Sequence, residues 1–310
     1  MYLEDTYGDQ IQTVYRHFPL SFHDKALITA EAAEAAGAQG KFFEMHDLLY
    51  DRQNEWGQLA DSALTDKLVE YAEELDLDTE RFAQELEDHV HLEKIQAQGE
   101  DAVRAGLGGT PSYIINGVVY PTQEIGLSEP QVAGFIDLLG VIEEQYQEGP
   151  PSVIDPAKNY VATISTTKGD IVVELFAEQA PLNVNSFVFL SQEGWYDGLD
   201  FFYVDPTTAA YSGDPTGMGW GLAFPGYICA DEVSPELSFD EPGMLALFAP
   251  AAGRNSSLFF ITTSAQPEWD GGYTIIGQVK EGLDVVKSLT ATQPGGTAPD
   301  TIEQIVIAEQ

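Results

Sequence analysis

Apolar residues recur at helical spacing through roughly the first half of the chain and alternate with polar ones in the second. Leu64, Leu68, Tyr71, Ala72 and Leu75 fall on one face of a 3.6-residue repeat, and Phe82, Leu86 and Val90 repeat at i, i+4 after Asp78-Thr79-Glu80, which reads as a helix start. Ala26 to Ala36 is rich in Ala and Glu, both strong helix formers; Gly37 and Gly40 interrupt it, and Phe42, Phe43, His46, Leu48 and Leu49 resume an amphipathic pattern. The spacing predicts a last helix from about Glu129 to Tyr146. Two short strand-like runs flank the helical block. One is Ile11 to Tyr15; the other is Tyr113-Ile114-Ile115, whose Asn116-Gly117 turn predicts a hairpin into Val118-Val119-Tyr120.

Glu148-Gly149-Pro150-Pro151-Ser152 reads as a linker by composition. Beyond it alternating strands such as Val161-Ala162-Thr163-Ile164 and Ile171-Val172-Val173-Glu174-Leu175 appear, with Gly and Pro turns between them. The pattern predicts two domains, 1–147 and 158–310, joined by a linker at 148–157, with no internal repeat.

Hydrophobic residues make up 44% of the 310 positions, enough for ordinary cores. No run approaches the ~18 apolar residues of a membrane helix. Met1 is followed by Tyr2-Leu3-Glu4-Asp5, neither basic nor apolar, so the chain reads as soluble or as a piece of a longer one whose leader is missing. Charge changes the picture more: 51 acids face 13 bases, a net −38 spread over both halves. Such a field repels nucleic acid and anionic membranes. Two readings of it stand: solubility in salty surroundings, or attraction of cationic partners or divalent cations. The single cysteine, Cys229, excludes an internal disulfide and a cysteine-based zinc site, and its apolar neighbours predict a buried, inert thiol. His89 and His91 alternate as a metal pair would, but on a surface helix they point apart.

Val14-Tyr15-Arg16-His17-Phe18-Pro19-Leu20, Ala30-Glu31-Ala32-Ala33-Glu34-Ala35-Ala36, Gly40-Lys41-Phe42-Phe43-Glu44-Met45-His46 and Gly109-Thr110-Pro111-Ser112-Tyr113-Ile114-Ile115-Asn116-Gly117 together resemble the DsbA-like branch of the thioredoxin superfamily over about Leu3 to Leu139. The resemblance implies a truncated α/β thioredoxin-like body with a helical insertion. It also implies a cis bond before Pro111 and a role for Thr110 and Pro111 in gripping extended polypeptide. The family's Cys-x-x-Cys pair is absent; only the tail of its dithiol helix precedes Tyr7-Gly8-Asp9, so thiol–disulfide exchange is excluded for this chain. A body without its central strand has an open sheet edge.

In the second half, Thr167-Lys168-Gly169-Asp170-Ile171, Ala180-Pro181-Leu182-Asn183-Val184-Asn185-Ser186-Phe187, Gly194-Trp195-Tyr196-Asp197-Gly198-Leu199, Gly213-Asp214-Pro215-Thr216-Gly217, Phe259-Phe260-Ile261-Thr262-Thr263 and Asp270-Gly271-Gly272-Tyr273-Thr274-Ile275-Ile276-Gly277 follow one another as in the cyclophilins, over about Tyr160 to Glu309. The resemblance implies a closed eight-stranded antiparallel β-barrel with capping helices. It also implies prolyl cis–trans isomerisation, in which a guanidinium aimed at the prolyl nitrogen lowers the ~18–20 kcal/mol amide barrier.

The residues that do this work are changed. Phe201-Phe202-Tyr203-Val204 puts Tyr203 where the family has its catalytic arginine. Thr208, Ala209 and Tyr211 replace an apolar pair and a glutamine; Leu247-Phe248-Ala249-Pro250 puts Phe248 in place of a small alanine; Leu258 stands for another glutamine, Glu268 for a tryptophan and Tyr273 for a late histidine. Phe260 persists and Trp269 replaces a smaller leucine. Phe248, Leu258 and Trp269 either repack a former groove as core or form a new aromatic surface with Tyr203, Tyr211, Tyr273 and Trp220, the last presented by the Met218-Gly219-Trp220-Gly221 loop. The glycines of that stretch lack the Gly-Lys-[Ser/Thr] of a phosphate loop.

Two functions follow as expectations. One is a protein-binding homologue that has lost catalysis: a scaffold, an assembly subunit or a holdase. The other is an active extracytoplasmic isomerase. The partner expected in either case is polypeptide, with no nucleic acid and no cofactor, and the DsbA-like resemblance implies a location in the cell envelope or outside the cell. Arg254 is the basic residue that would restore the missing cation if it reached over the proline notch.

Overall fold

The computed structural model describes residues 2–249, 255–296 and 298–310. Pro250 and Arg254, both named above, lie outside the described residues. The chain divides into two compact units, Glu4–Tyr120 and a second built from Pro121–Gln310.

After α1 (Tyr2–Tyr7), whose first residues group with the second unit, the first unit holds α2 (Ala26–Gly37), α3 (Phe42–Asp51), α4 (Gln53–Trp56), α5 (Asp61–Glu74), α6 (Thr79–Glu87) and α7 (Leu92–Arg104). The alanines of α2 let α3 and α6 approach it closely, and Met45, Leu64, Leu68, Tyr71 and Phe82 fill the core between them with no exposed surface. The Asp78 side chain caps α6 by accepting from Arg81 N at 3.0 Å. The strand predicted at Ile11–Tyr15 does not form, and among the described residues this stretch has no ladder partner. A β-propensity run becomes a strand only where another strand answers its N–H and C=O groups. The hairpin does form: β1 (Ile114–Ile115) pairs with β2 (Val118–Val119) through Asn116 and Gly117, whose φ of 48° and 81° suit a type I′ turn. The Thr110–Pro111 bond is cis, and both residues are exposed.

The second unit opens with α8 (Thr122–Ile125) and α9 (Glu129–Glu144). Ser128 and Gln131 form a capping box at the start of α9. A Cβ added at Gly134 of α9 would lie 2.6 Å from Met218 Cγ and 3.5 Å from Trp220 Cη2. At the other end, Tyr146 N donates to Pro225 O at 2.9 Å and the Gln145 amide donates to Phe224 O at 3.1 Å. The segment read as a linker is also held: Asn185 accepts from Val153 N at 2.8 Å and donates to Pro151 O at 2.8 Å, and Ile154 enters the core.

The rest is one antiparallel sheet with helices. Its strands are β3 (Tyr160–Thr166), β4 (Gly169–Leu175), β5 (Tyr203–Val204), β6 (Ala209–Ser212), β7 (Met244–Leu247), β8 (Phe259–Thr262), β9 (Ile275–Glu281) and β10 (Ile302–Glu309), in the order β10-β3-β4-β9-β7-β8-β6-β5. Strict alternation along β3 sends Tyr160, Ala162 and Ile164 inward, and Ile171, Val173, Phe187, Phe201, Phe259 and Ile276 meet them. Helix α10 (Pro181–Gln192) starts with Pro at its first position, and the Glu232 carboxylate accepts from the backbone of Leu182 and Asn183 at 3.2 and 2.9 Å. Helix α11 (Leu283–Ser288) packs on β4. Backbone bonds also link the stretches beside the two end strands: Ile302 N to Leu199 O at 2.8 Å and Phe201 N to Asp300 O at 2.9 Å.

Candidate functional site

Strand register decides which altered residues meet. Tyr203 on β5 lies opposite Tyr211 on β6, Tyr211 opposite Phe260 on β8, and Phe260 opposite Ala246 on β7. Cross-strand partners share a face of the sheet, so these four form one row across four strands. Tyr203 and Tyr211 meet edge to face at 5.5 Å between ring centroids, and Tyr211 lies 5.2 Å from Phe260.

Loops close over the row. Phe248, just after β7, packs on Tyr211 at 5.5 Å. Trp269 and Tyr273 stand edge to face on Phe260 at 5.4 and 5.1 Å. Phe239 stacks on Phe260 at 5.9 Å and is itself fully buried. Phe260 therefore has no exposed surface, and Ala209, Met244, Ala246 and Ile275 complete the cluster beneath it. The outer rings Tyr203, Tyr211, Phe248, Trp269 and Tyr273 remain half-exposed.

The electrostatics of this face are one-sided. Burial, then the neighbouring phenols of Tyr273 and Tyr203 and the Asp205 carboxylate, push the Tyr211 hydroxyl up to about 12. Between Lys168 and Lys280 the only basic residue is Arg254. The other bases of this unit sit on β9, on α11 and in the segments beside β3 and β4. Three of them pair with acids: Lys158 with Glu309, Lys168 with Asp300 and Lys280 with Glu174. No cation therefore stands on the aromatic row among the described residues.

The sequence-predicted residues divide four ways. Tyr203, Tyr211, Phe248, Phe260, Trp269 and Tyr273 come together. Leu258 is buried, with its carbonyl accepting from Phe248 N at 3.0 Å, and Thr208 holds the turn between β5 and β6 through Asp205 O at 3.1 Å. Trp220 has no ring contact with the cluster; its indole lies against Gly134 of α9. Thr110 and Pro111 belong to the other unit. Phe239 was missed, because Ser238-Phe239-Asp240 lies in a loop with no period to mark it. Cys229 is half-buried, and burial raises its thiol pKa, which disfavours the thiolate a nucleophile requires.

In the first unit a different cluster forms. His17 is buried with its Nε2 3.2 Å from Glu34, whose other oxygen accepts from Lys94 at 2.6 Å. His89 and His91 each face a separate carboxylate, Glu31 and Glu85. No helix among the described residues is long and apolar enough to cross a membrane.

Comparison with known proteins also gives two domains, with the first match running past Tyr120 to residue 133. Residues 161–309 match the family described as cyclophilin type peptidyl-prolyl cis-trans isomerase/CLD, and residues 3–133 match a thioredoxin family. The chain is 37% identical over 174 residues to peptidyl-prolyl cis-trans isomerase A of Mycobacterium tuberculosis, covering 49% of this chain and 94% of that protein. It is 39% identical over 127 residues to peptidyl-prolyl cis-trans isomerase ppi1 of Schizosaccharomyces pombe, covering 41% and 82%. Among solved structures, a cyclophilin type peptidyl-prolyl cis-trans isomerase of Cryptosporidium parvum is similar at a TM-score of 0.45 and 30% identity, over 49% of this chain and 98% of that one.

Proposed function

Since this chain belongs to the cyclophilin type peptidyl-prolyl cis-trans isomerase family, with a thioredoxin-like domain before it, we propose that its cyclophilin domain binds polypeptide without accelerating prolyl isomerisation. The observation that carries this reading is the buried ring of Phe260. A proline side chain needs an open apolar notch, and here Tyr211, Phe239, Trp269 and Tyr273 occupy the faces of Phe260 on which it would rest. Tyr203 supports the same reading. A phenol has no fixed positive charge to draw off the prolyl nitrogen's lone pair, so amide resonance in the twisted state goes unopposed.

The bonds between Leu199–Phe201 and Asp300–Ile302 support closure of the sheet into the family's eight-stranded barrel. The thioredoxin-like domain has no cysteine and, on this reading, serves binding alone. The pair of domains acts as a scaffold, assembly subunit or holdase, in the cell envelope or outside the cell.

The test is a proline-peptide isomerisation assay on the full chain beside Tyr203→Arg and Tyr203→Arg/Phe248→Ala. The natural chain should leave the uncatalysed rate unchanged. Tyr203→Arg alone should do the same, because the cation would face a filled notch. Acceleration by the natural chain comparable to that of an ordinary cyclophilin, and lowered by Phe260→Ala, would mean instead an active isomerase.

A further inference from the structure

Carboxylates stand beside the aromatic face. Between Lys168 and Lys280 the chain carries 15 acidic residues and one basic one. Three of the acids stand at the rings themselves. Asp205 follows β5 directly; its Oδ1 accepts from Thr207 N and Oγ1 at 2.8 and 2.6 Å, and the Thr208 side chain is a further hydrogen-bond partner of the carboxylate. Asp270 accepts from Phe239 N at 2.7 Å, and exposed Glu268 sits beside Trp269.

Such a surface has one kind of natural ligand group. Ring faces are the negative end of an aromatic quadrupole, and phenol and carboxylate oxygens accept hydrogen bonds. A family member that catalyses presents a cation to its ligand; among the described residues this face presents ring faces, neutral phenols and an indole, with carboxylates beside them and no cation. A second copy of the chain is a poor occupant, since it brings another net −38 to the contact. A neutral apolar segment would leave the carboxylates unanswered.

We propose that this face takes a lysine- or arginine-bearing segment of polypeptide, its ammonium or guanidinium seated over the Tyr203, Tyr211 and Tyr273 rings and against Asp205. The proposal rests on the reading that the face binds polypeptide, and it names the chemistry that face selects. The half-exposed tyrosines supply the apolar floor for the side chain's methylene stem, and Asp205 fixes the charged end. An arginine gains most, because its planar guanidinium both stacks on a ring and donates to a carboxylate.

Titration calorimetry of the full chain at ordinary salt tests this with four peptides of one length, bearing arginine, lysine, citrulline or norleucine at a single central position. The cationic peptides should bind about tenfold more tightly than their neutral counterparts. Asp205→Asn and, separately, Tyr203→Leu should reduce that preference to about threefold or less. Asp284→Asn, which removes the same charge from α11 on the β4 side of the sheet, should leave it intact. Equal affinity for the neutral peptides, binding of none of the four, or an equal loss in Asp284→Asn, the mark of a general field, would each overturn the proposal. Isomerisation of a bound prolyl peptide would instead sink the non-catalytic reading and leave the cation preference standing, so the two can fail separately.

Discussion

Removing the Phe260 ring takes away the centre of an aromatic cluster, not the floor of a vacant notch. Phe260→Ala should therefore cost about 3–5 kcal/mol in a urea melt, the range for a fully buried aromatic; a cost under about 1 kcal/mol would mean that the ring faces open space. Tyr211 offers a second measurement. Its hydroxyl is held up to about 12 against an ordinary 10, so the folded state keeps a proton that the unfolded chain releases. Stability should fall as the pH climbs from 10 towards 12, and Tyr211→Phe should remove that part of the alkaline loss. At this scale the sequence is readable where a residue occupies a position with a known chemical duty. Tyr203, Phe248 and Tyr273 stand out because each puts a ring where a donor or a small residue belongs. Phe239 does not, and Trp220 stands out but for the wrong surface: both sit in loops, where no repeat ties a side chain to a face, and Trp220's neighbour comes from α9.

Elements carry a different part of the account. The helix at 26–37 was legible from its Ala and Glu content, that at 61–74 from its apolar spacing, that at 79–87 from spacing together with the Asp78 start, and the hairpin because Asn116-Gly117 dictates its turn. Ile11–Tyr15 shows the limit: its composition favours a strand, but strand formation depends on a neighbour that no local pattern can supply. Packing of α9 on the Met218–Trp220 loop was equally hidden, because it depends on the absence of a side chain at Gly134. Gly134→Leu should force Met218 aside and cost about 1–3 kcal/mol, with hydrogen exchange rising in α9 and in residues 216–226 together. Exchange rising in α9 alone would show that the two do not support each other. In the first unit, His17 binds α2 to the preceding extended stretch through Glu34. Burial lowers its pKa below the ordinary 6.5 despite that carboxylate, so the unfolded chain takes up a proton that the folded one resists. Stability should accordingly be lost as the pH falls below 6.5, and His17→Gln should show a shallower decline than the natural chain between pH 7.5 and about 5.5.

For the whole molecule, charge is the dominant quantity. A net −38 works against compactness wherever it is unscreened. Sodium chloride shortens the Debye length from about 30 Å at 0.01 M to about 3 Å at 1 M, so the thermal midpoint should rise across that range. A flat or falling midpoint would mean that the acids are already arranged to avoid one another. Composition alone could foresee this, since net charge needs no coordinates. Composition is a poorer guide to where one module stops.

The Gly149-Pro150-Pro151 stretch looks like the place to cut or to graft, yet Asn185 clasps it and α9 is built into the body that follows. Anyone recombining these modules at that stretch would leave a helix behind and bare the side of the protein it had covered. A transplant that respects the packing would carry everything from Pro121 onward as one piece.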